Sequence, residues 1–216
     1  QHDDHVVCLS HGPILMQHCR IPTSLQEEIS KLPTSAMWSV STFTAPDNGI
    51  TVVDAIKAGT AVAVSDGSFK EGTGSSAWVI EGYNSANRIC GTNLTPGLSH
   101  QQNSYRSELS GLYGITVMLL SLCKLHQVQS GSITIACDNI SALNNALDHY
   151  TAPSLSQSEF DFTYAIQRNL NLLPIAYDVK HVKGHQDSNT PTEMLDRWSL
   201  LNLEMDSLAK STLRNN

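Results

Sequence analysis

Over the middle of this chain, apolar residues come in short bursts separated by polar turns, and their spacing predicts its elements. Ala61-Val62-Ala63-Val64, Ala77-Trp78-Val79-Ile80 and Arg88-Ile89-Cys90-Gly91 are bounded by Gly, Asn and Ser, as three strands joined by tight turns would be. From Asn103 to His126 the period changes, with Leu109, Leu112, Tyr113, Val117, Leu120 and Leu125 recurring among further apolar residues. They are too many for one stripe, which predicts a central helix buried on most sides. Ile133–Cys137 then reads as a buried strand, Ser141–Leu147 as a short helix and Glu159–Leu170 as a helix stopped before Pro174. Ala176–His181 reads as a further strand, and a last helix runs through Leu203, Leu208 and Leu213. A meander of strands followed by strands alternating with helices implies an α/β mixed sheet whose later strands run parallel to the first.

Residues 1–58 pattern differently. Pro13, Pro22, Pro33 and Pro46 stand among Ser and Thr with only short apolar patches, which predicts an N-terminal appendage or linker ahead of a domain spanning residues 59–216. One helix is expected there near Ser24–Lys31, with Ser24 as cap and Glu27 at the third helical position. Cys8, His11, His18 and Cys19 lie in this stretch, but their spacing and the adjacent His18-Cys19 pair fit a tetrahedral zinc site poorly.

At 216 residues and 40% hydrophobic content the chain can bury one sizeable core. Its net charge of -7, with only 13 Lys and Arg, argues against a free-standing tight binder of nucleic acid. The five cysteines are odd in number and irregular in spacing, and Cys90, Cys123 and Cys137 sit in apolar segments, so a reduced, intracellular setting is expected. The apolar stretch Ile115–Cys123 is shorter than the roughly 20 residues a membrane span needs, and the first residues lack a secretory pattern. A first residue other than Met is expected of an excised fragment or a processed product.

Four acidic residues change the picture: Asp66 and Asp138 at the ends of apolar strand runs, Glu108 one turn into the central helix, and Asp206 on the last helix. In an open α/β sheet, sites form beyond the carboxyl ends of neighbouring strands, so Asp66 and Asp138 can reach one crevice. A cage of carboxylates suits hard divalent cations, which prefer oxygen ligands and can clamp both oxygens of a phosphodiester under attack. Mutual repulsion among such carboxylates should raise their pKa values until cations neutralise them.

In these settings the residues resemble the ribonuclease H family. The resemblance is carried by Asp66-Gly67-Ser68, Arg106-Ser107-Glu108-Leu109, Asp138-Asn139, Val182-Lys183-Gly184-His185 and Asp206-Ser207-Leu208-Ala209, and covers about residues 60–212. It implies a five-stranded mixed sheet, three strands antiparallel and then two parallel, flanked by helices. It also implies an endonuclease that cuts the RNA strand of RNA/DNA hybrids with two Mg²⁺, or Mn²⁺, leaving 3′-hydroxyl and 5′-phosphate ends. Asp66 would then bridge both ions, Glu108 and Asp138 complete the ion on the leaving-group side, and Asp206 hold the ion of the attacking water. His185 would assist proton movement or product departure, a role suited to a side chain that titrates near neutrality. Gly67, Ser68, Asn103, Ser104, Arg106 and Asn139 would contact substrate, whose RNA strand is told apart by its 2′-hydroxyl.

The chain departs from the family in places. Asp196 stands nearer than Asp206 to the separation from His185 common in bacterial members, although Asp206 carries the following Leu208-Ala209 and is preferred. The paired Asn that precedes the family's Arg in many cellular members is missing, no Lys or Arg lies between Leu147 and Glu159, and the small basic hybrid-binding domain of eukaryotic type 1 enzymes is absent. These absences and the acidic balance liken the chain to the ribonuclease H domain of a retroelement, monomeric in isolation and gripping hybrid through a linked reverse transcriptase. The competing expectation is a catalytically weak connection module of the same fold that only positions nucleic acid.

Overall fold

The computed structural model describes residues 23–83, 86–147, 153–184, 186 and 191–215. The Cys8, His11, His18 and Cys19 group and His185 lie outside the described residues. Six strands, β1 (Thr42–Thr44), β2 (Ala61–Lys70), β3 (Thr73–Glu81), β4 (Ile89–Leu94), β5 (Ser132–Cys137) and β6 (Ala176–His181), form one sheet in the order β1-β4-β3-β2-β5-β6. β2, β3 and β4 are an antiparallel meander, whereas β5 pairs parallel with β2 and β6 parallel with β5. This is the α/β arrangement expected of a ribonuclease H-like sheet, with β1 added antiparallel to the edge of β4.

The helices are α1 (Leu25–Ile29), α2 (Thr34–Met37), α3 (Ile50–Lys57), α4 (Ser104–Leu125), α5 (Ile140–Ala146), α6 (Phe160–Leu172) and α7 (Arg197–Arg214). Alternation along the strands decides which helices cover which face. Ala61, Ala63, Trp78, Ile80, Ile133 and Ile135 pack with Leu109, Leu112 and Ile115 of α4, while Val62, Val64, Ala77, Val79 and Ala136 pack with Leu201, Met205 and Ala209 of α7. Each fully buried Leu, Ile or Val contributes roughly 1.5–3 kcal/mol, so these two layers fix α4 and α7 on opposite faces. By length and composition α4 could cross a membrane, and 83% of its most apolar window is buried within the fold.

Residues 23–58, expected as an irregular appendage, supply part of the same core. Leu25, Ile29, Val40, Val52, Val53 and Ile56 are buried in the cluster that contains α4, because their apolar patches recur often enough to cover the sheet even though prolines interrupt them. The helix expected there forms as α1. Ser24 Oγ accepts from Glu27 N at 3.2 Å, and the Glu27 carboxylate reaches back to accept from Thr23 N at 2.7 Å.

β2 and β3 run well beyond their apolar cores. Ser65, Asp66, Gly67, Ser75 and Ser76 interrupt the apolar pattern yet pair in register, as Ser65↔Trp78, Asp66↔Ala77 and Gly67↔Ser76. The two strands turn through Glu71 and Gly72, both at positive φ (52° and 81°), the backbone of a two-residue hairpin turn.

Candidate functional site

Small residues bring α4 against the sheet where the acidic side chains meet. A Cβ at Gly67 would lie 2.5 Å from Glu108 N, and one at Gly111 would lie 2.8 Å from Ser65 Cβ. Ser76 Oγ donates to Asn93 Oδ1 at 3.0 Å, and Asn93 Nδ2 donates to Ser110 Oγ at 2.7 Å. The polar residues that ended the apolar runs are therefore the contact surface that lets the α4 backbone touch the β2 backbone.

Strand register supplies the second approximation. β2 and β5 pair in parallel as far as Val64↔Ala136. Carried two residues further, that register sets Asp66 level with Asp138, the residue that follows the end of β5. Asp66 shares the strand face of Val62 and Val64, the α7 face, whereas Glu108 comes from α4 on the other. Because β5 ends while β2 continues, nothing in the sheet separates the two layers at this point. Asp66, Glu108 and Asp138 each offer an oxygen within 4.8 Å of the others.

The electrostatics follow from that closeness. Burial, then the charges of Asp138 and Asp206, push the Asp66 carboxyl up to about 8, although the Gly67 amide donates to it. Burial, then Asp66 and Asp138, hold Glu108 well above the usual carboxylate range. Glu108 Oε2 is buried with no hydrogen-bond partner. Buried carboxylates that repel one another, one with an orphaned oxygen, fit a hard divalent cation, which satisfies the lone pairs and cancels the charge together.

Asp206 lies on α7 outside that close group, near enough to raise the pKa of both Asp66 and Glu108. Its Oδ2 accepts from Lys210 Nζ at 2.7 Å. Asp196, the other acidic residue weighed for this place, caps α7 instead. It accepts from Ser199 N at 2.8 Å and Ser199 Oγ at 2.6 Å, bonds that hold its carboxyl below the ordinary range.

The residues expected to touch substrate divide. Gly67 and Ser68 lie on β2 directly beyond Asp66, half-buried, and Ser104 is exposed at the start of α4. Asn103 caps α4 by accepting from Arg106 N at 2.7 Å and donates Nδ2 to Glu159 Oε1 at 2.8 Å. Asn139 caps α5, accepting from Ala142 N at 3.0 Å. Arg106 is turned inward: its side chain is 8% exposed, bonded to Glu159 and Pro96 O and forked onto Asp161 at 3.0 and 2.6 Å. Its guanidinium clasps α4 to α6 rather than facing solvent.

Two contributors went unnoticed in the sequence, and a third, Gly184, was read only as part of a motif. Asn202 donates Nδ2 to Asp66 Oδ2 at 3.2 Å from a buried position, and its own Oδ1 has no partner. Its place one helical turn before Asp206, on the same face, was the available signal. Lys210, one turn after Asp206, was detectable in the same way. Gly184 lies so close to Asp138 that a Cβ there would meet Asp138 Oδ2 at 2.4 Å, a contact that no sequence spacing reveals.

No family model and no curated protein matches this chain. Among solved structures it is similar to ribonuclease H1 of the halophilic archaeon Halobacterium salinarum NRC-1, at 12% identity and a TM-score of 0.48 over 72% of this chain and 98% of that one. It is also similar to the N-terminal ribonuclease H domain of a Mycobacterium tuberculosis protein, solved as a fusion with maltose binding protein, at 12% identity and a TM-score of 0.40 over 70% and 97% of the two chains. A third similar structure is LC11 ribonuclease H1 in complex with RNA/DNA hybrid, at 10% identity and a TM-score of 0.44 over 70% and 94%.

Proposed function

We propose that this chain is a metal-dependent endonuclease that hydrolyses the RNA strand of RNA/DNA hybrids, leaving 3′-hydroxyl and 5′-phosphate ends. The reading is carried by the convergence of Asp66, Glu108 and Asp138, buried or half-buried, from two strands and a helix on opposite faces of the sheet. These three would hold divalent cations of the Mg²⁺ type with Asp206 alongside, and such ions supply positive charge at a scissile phosphate and acidify a coordinated water. The chain's own groups fix the donors. Asn202 and the Gly67 amide orient Asp66, Gly67 also donates to Glu108, and Gly184 leaves room for the Asp138 carboxylate. In the cleavage, water oxygen bonds to phosphorus as the bond from phosphorus to the 3′-oxygen breaks, and the departing oxygen takes up a proton. His185 is the proposed carrier of a proton in that exchange.

The retroelement reading belongs to the same proposal. With a net charge of -7 and Arg106 committed to internal ion pairs, the chain has little basic surface with which to hold a duplex alone. A linked polymerase such as a reverse transcriptase would supply that grip.

The test is cleavage of labelled RNA/DNA, RNA/RNA and DNA/DNA duplexes in Mg²⁺ and in Mn²⁺. Cutting confined to the RNA of the hybrid is expected, abolished in Asp66→Asn and Asp138→Asn and only slowed in His185→Ala. Cleavage retained in Asp66→Asn rejects the mechanism, and a wild-type chain that cuts none of the three is not a nuclease.

A further inference from the structure

We propose that the outer edge of β6 pairs antiparallel with the same edge of a second copy of this chain, about a two-fold axis through Val179. The inference stands apart from the nuclease reading, since it uses none of the carboxylate cluster.

The two edges of the sheet differ. β1 closes the β4 side with three residues, none of them charged, whereas β6 ends the other side with six, all exposed except Tyr177. Neither face of β6 is covered at its middle. Asp178 and Lys180 are exposed on the face of α7, and Val179, level with Ile135 on the face of α4, is 45% exposed. Backbone direction adds to this. Ala176 N donates to Gly131 O at 3.0 Å and Val182 N to Cys137 O at 3.1 Å, so the even-numbered residues of β6 bond inward to β5. Because these groups alternate sides along a strand, the N–H and C=O of Val179 point out from the sheet, where an open edge is a template for another strand.

The side chains choose the partner and the register. Asp178 and Lys180 flank Val179 on one face, and neither is in an ion pair among the described residues. Lys180 Nζ lies 5.2 Å from the centre of the Trp198 ring, a contact that occupies no carboxylate. With Val179 of one copy opposite Val179 of the other, the two exchange both backbone bonds. Asp178 of each copy then falls opposite Lys180 of the other, in the closer, non-hydrogen-bonded position. Centring the axis on Asp178 or Lys180 sets like charges opposite one another, and centring it on Tyr177 or His181 gives neither residue an opposite charge. A lysine on an edge strand ordinarily deters pairing, but a carboxylate two residues before it makes this edge complementary to itself. Because the paired strands run in opposite directions, the two carboxylate clusters would stand at opposite ends of one continuous sheet. A contact of one strand is small beside the ~1,200 Å² of a stable interface, so the pair should form only at roughly 10 µM and above.

The test is analytical ultracentrifugation of the full chain between about 1 and 300 µM, with amide hydrogen exchange followed at both ends of that range. A dimer should populate with concentration, weaken in high salt and slow the exchange of Val179 N–H. Lys180→Asp or Asp178→Lys alone sets like charges opposite one another twice in each dimer and should weaken association about tenfold or more. Mixing the two variants puts two carboxylates of one strand opposite two ammonium groups of the other, which should restore association to within about threefold of the wild type. Thermal melting of each variant should match the wild type, since both side chains are exposed. A chain monomeric throughout, a dimer that the single variants leave intact, or a mixture that fails to associate would overturn the proposal. The exchange measurement needs no variant: a dimer in which Val179 N–H stays unprotected uses another surface and overturns it equally.

Discussion

Replacing Asp66 with Asn should make the metal-free protein more stable while removing its response to metal. The Asp66 carboxyl, pushed up to about 8, is protonated in the folded chain at pH 7, whereas in the unfolded chain it ionises near pH ~3.9. Holding that proton across about three pH units at ~1.36 kcal/mol each costs the wild type ~4 kcal/mol at pH 7. The amide has no proton to hold. It offers one oxygen where the protonated carboxyl has two to accept from Asn202 and from Gly67, a loss of about 1 kcal/mol. The net gain of ~3 kcal/mol corresponds to a rise in Tm of roughly 6–12 °C for a chain of this size. Because the folded pKa is raised, the contribution of Asp66 to stability is whole below pH ~4 and is lost as pH climbs to about 8. The wild type should therefore be the more stable by about 1 kcal/mol at pH 4, and the variant should overtake it as pH rises, with the largest gap near pH 8, measured by calorimetry in EDTA. Mg²⁺ should then raise the Tm of the wild type, increasingly with pH, and leave the variant unmoved. A difference in Tm that ignores pH, or an equal Mg²⁺ response in both proteins, would refute the crowded-carboxylate account.

Further substitutions separate the roles of neighbouring residues. Gly67→Ala forces α4 from β2 against backbone atoms at 2.5 and 2.6 Å and should cost about 1–3 kcal/mol in urea unfolding, with hybrid cleavage falling at least in proportion. Arg106→Ala leaves the buried Glu159 carboxylate unpaired and should cost about 3–5 kcal/mol; a loss of hybrid affinity without loss of stability would mean that Arg106 serves substrate instead. Asp196→Ala removes a helix cap worth ~1 kcal/mol and should leave the Mg²⁺ response intact. Asp206→Asn should weaken that response with little change in metal-free stability, and the opposite pattern in the two variants would exchange their assignments.

The element order was legible in the sequence because burial leaves a periodic mark. The continuous apolar runs of β2 and β3, the apolar run of β5 and the many-sided apolar helix α4 were forced by the need to cover two faces of a sheet, and the parallel return of β5 and β6 followed from the helices between them. The acidic residues were legible as well, since Asp66 and Asp138 end apolar strand runs, Glu108 stands one turn into the central helix and Asp206 is set within the apolar pattern of the last one. What escaped was everything set by contact between distant segments. Ser65, Gly67 and Ser76 fall where the apolar strand runs stop, and with Ser110 and Gly111 of the helix they form the close interface of α4 with the sheet, a contact that a one-dimensional reading cannot show. Residues 23–58 showed only short apolar patches between prolines, and their burial was not legible because a core needs only that such side chains arrive together in space. Arg106 carried a family motif, but whether a guanidinium faces substrate or a carboxylate two helices away depends on where α6 docks. Sequence thus determined which residues could do chemistry here. Only the packing of α4, α6 and α7 about the end of β5 decided which of them meet, because side-chain partners are chosen by through-space distance, to which spacing along the chain is blind.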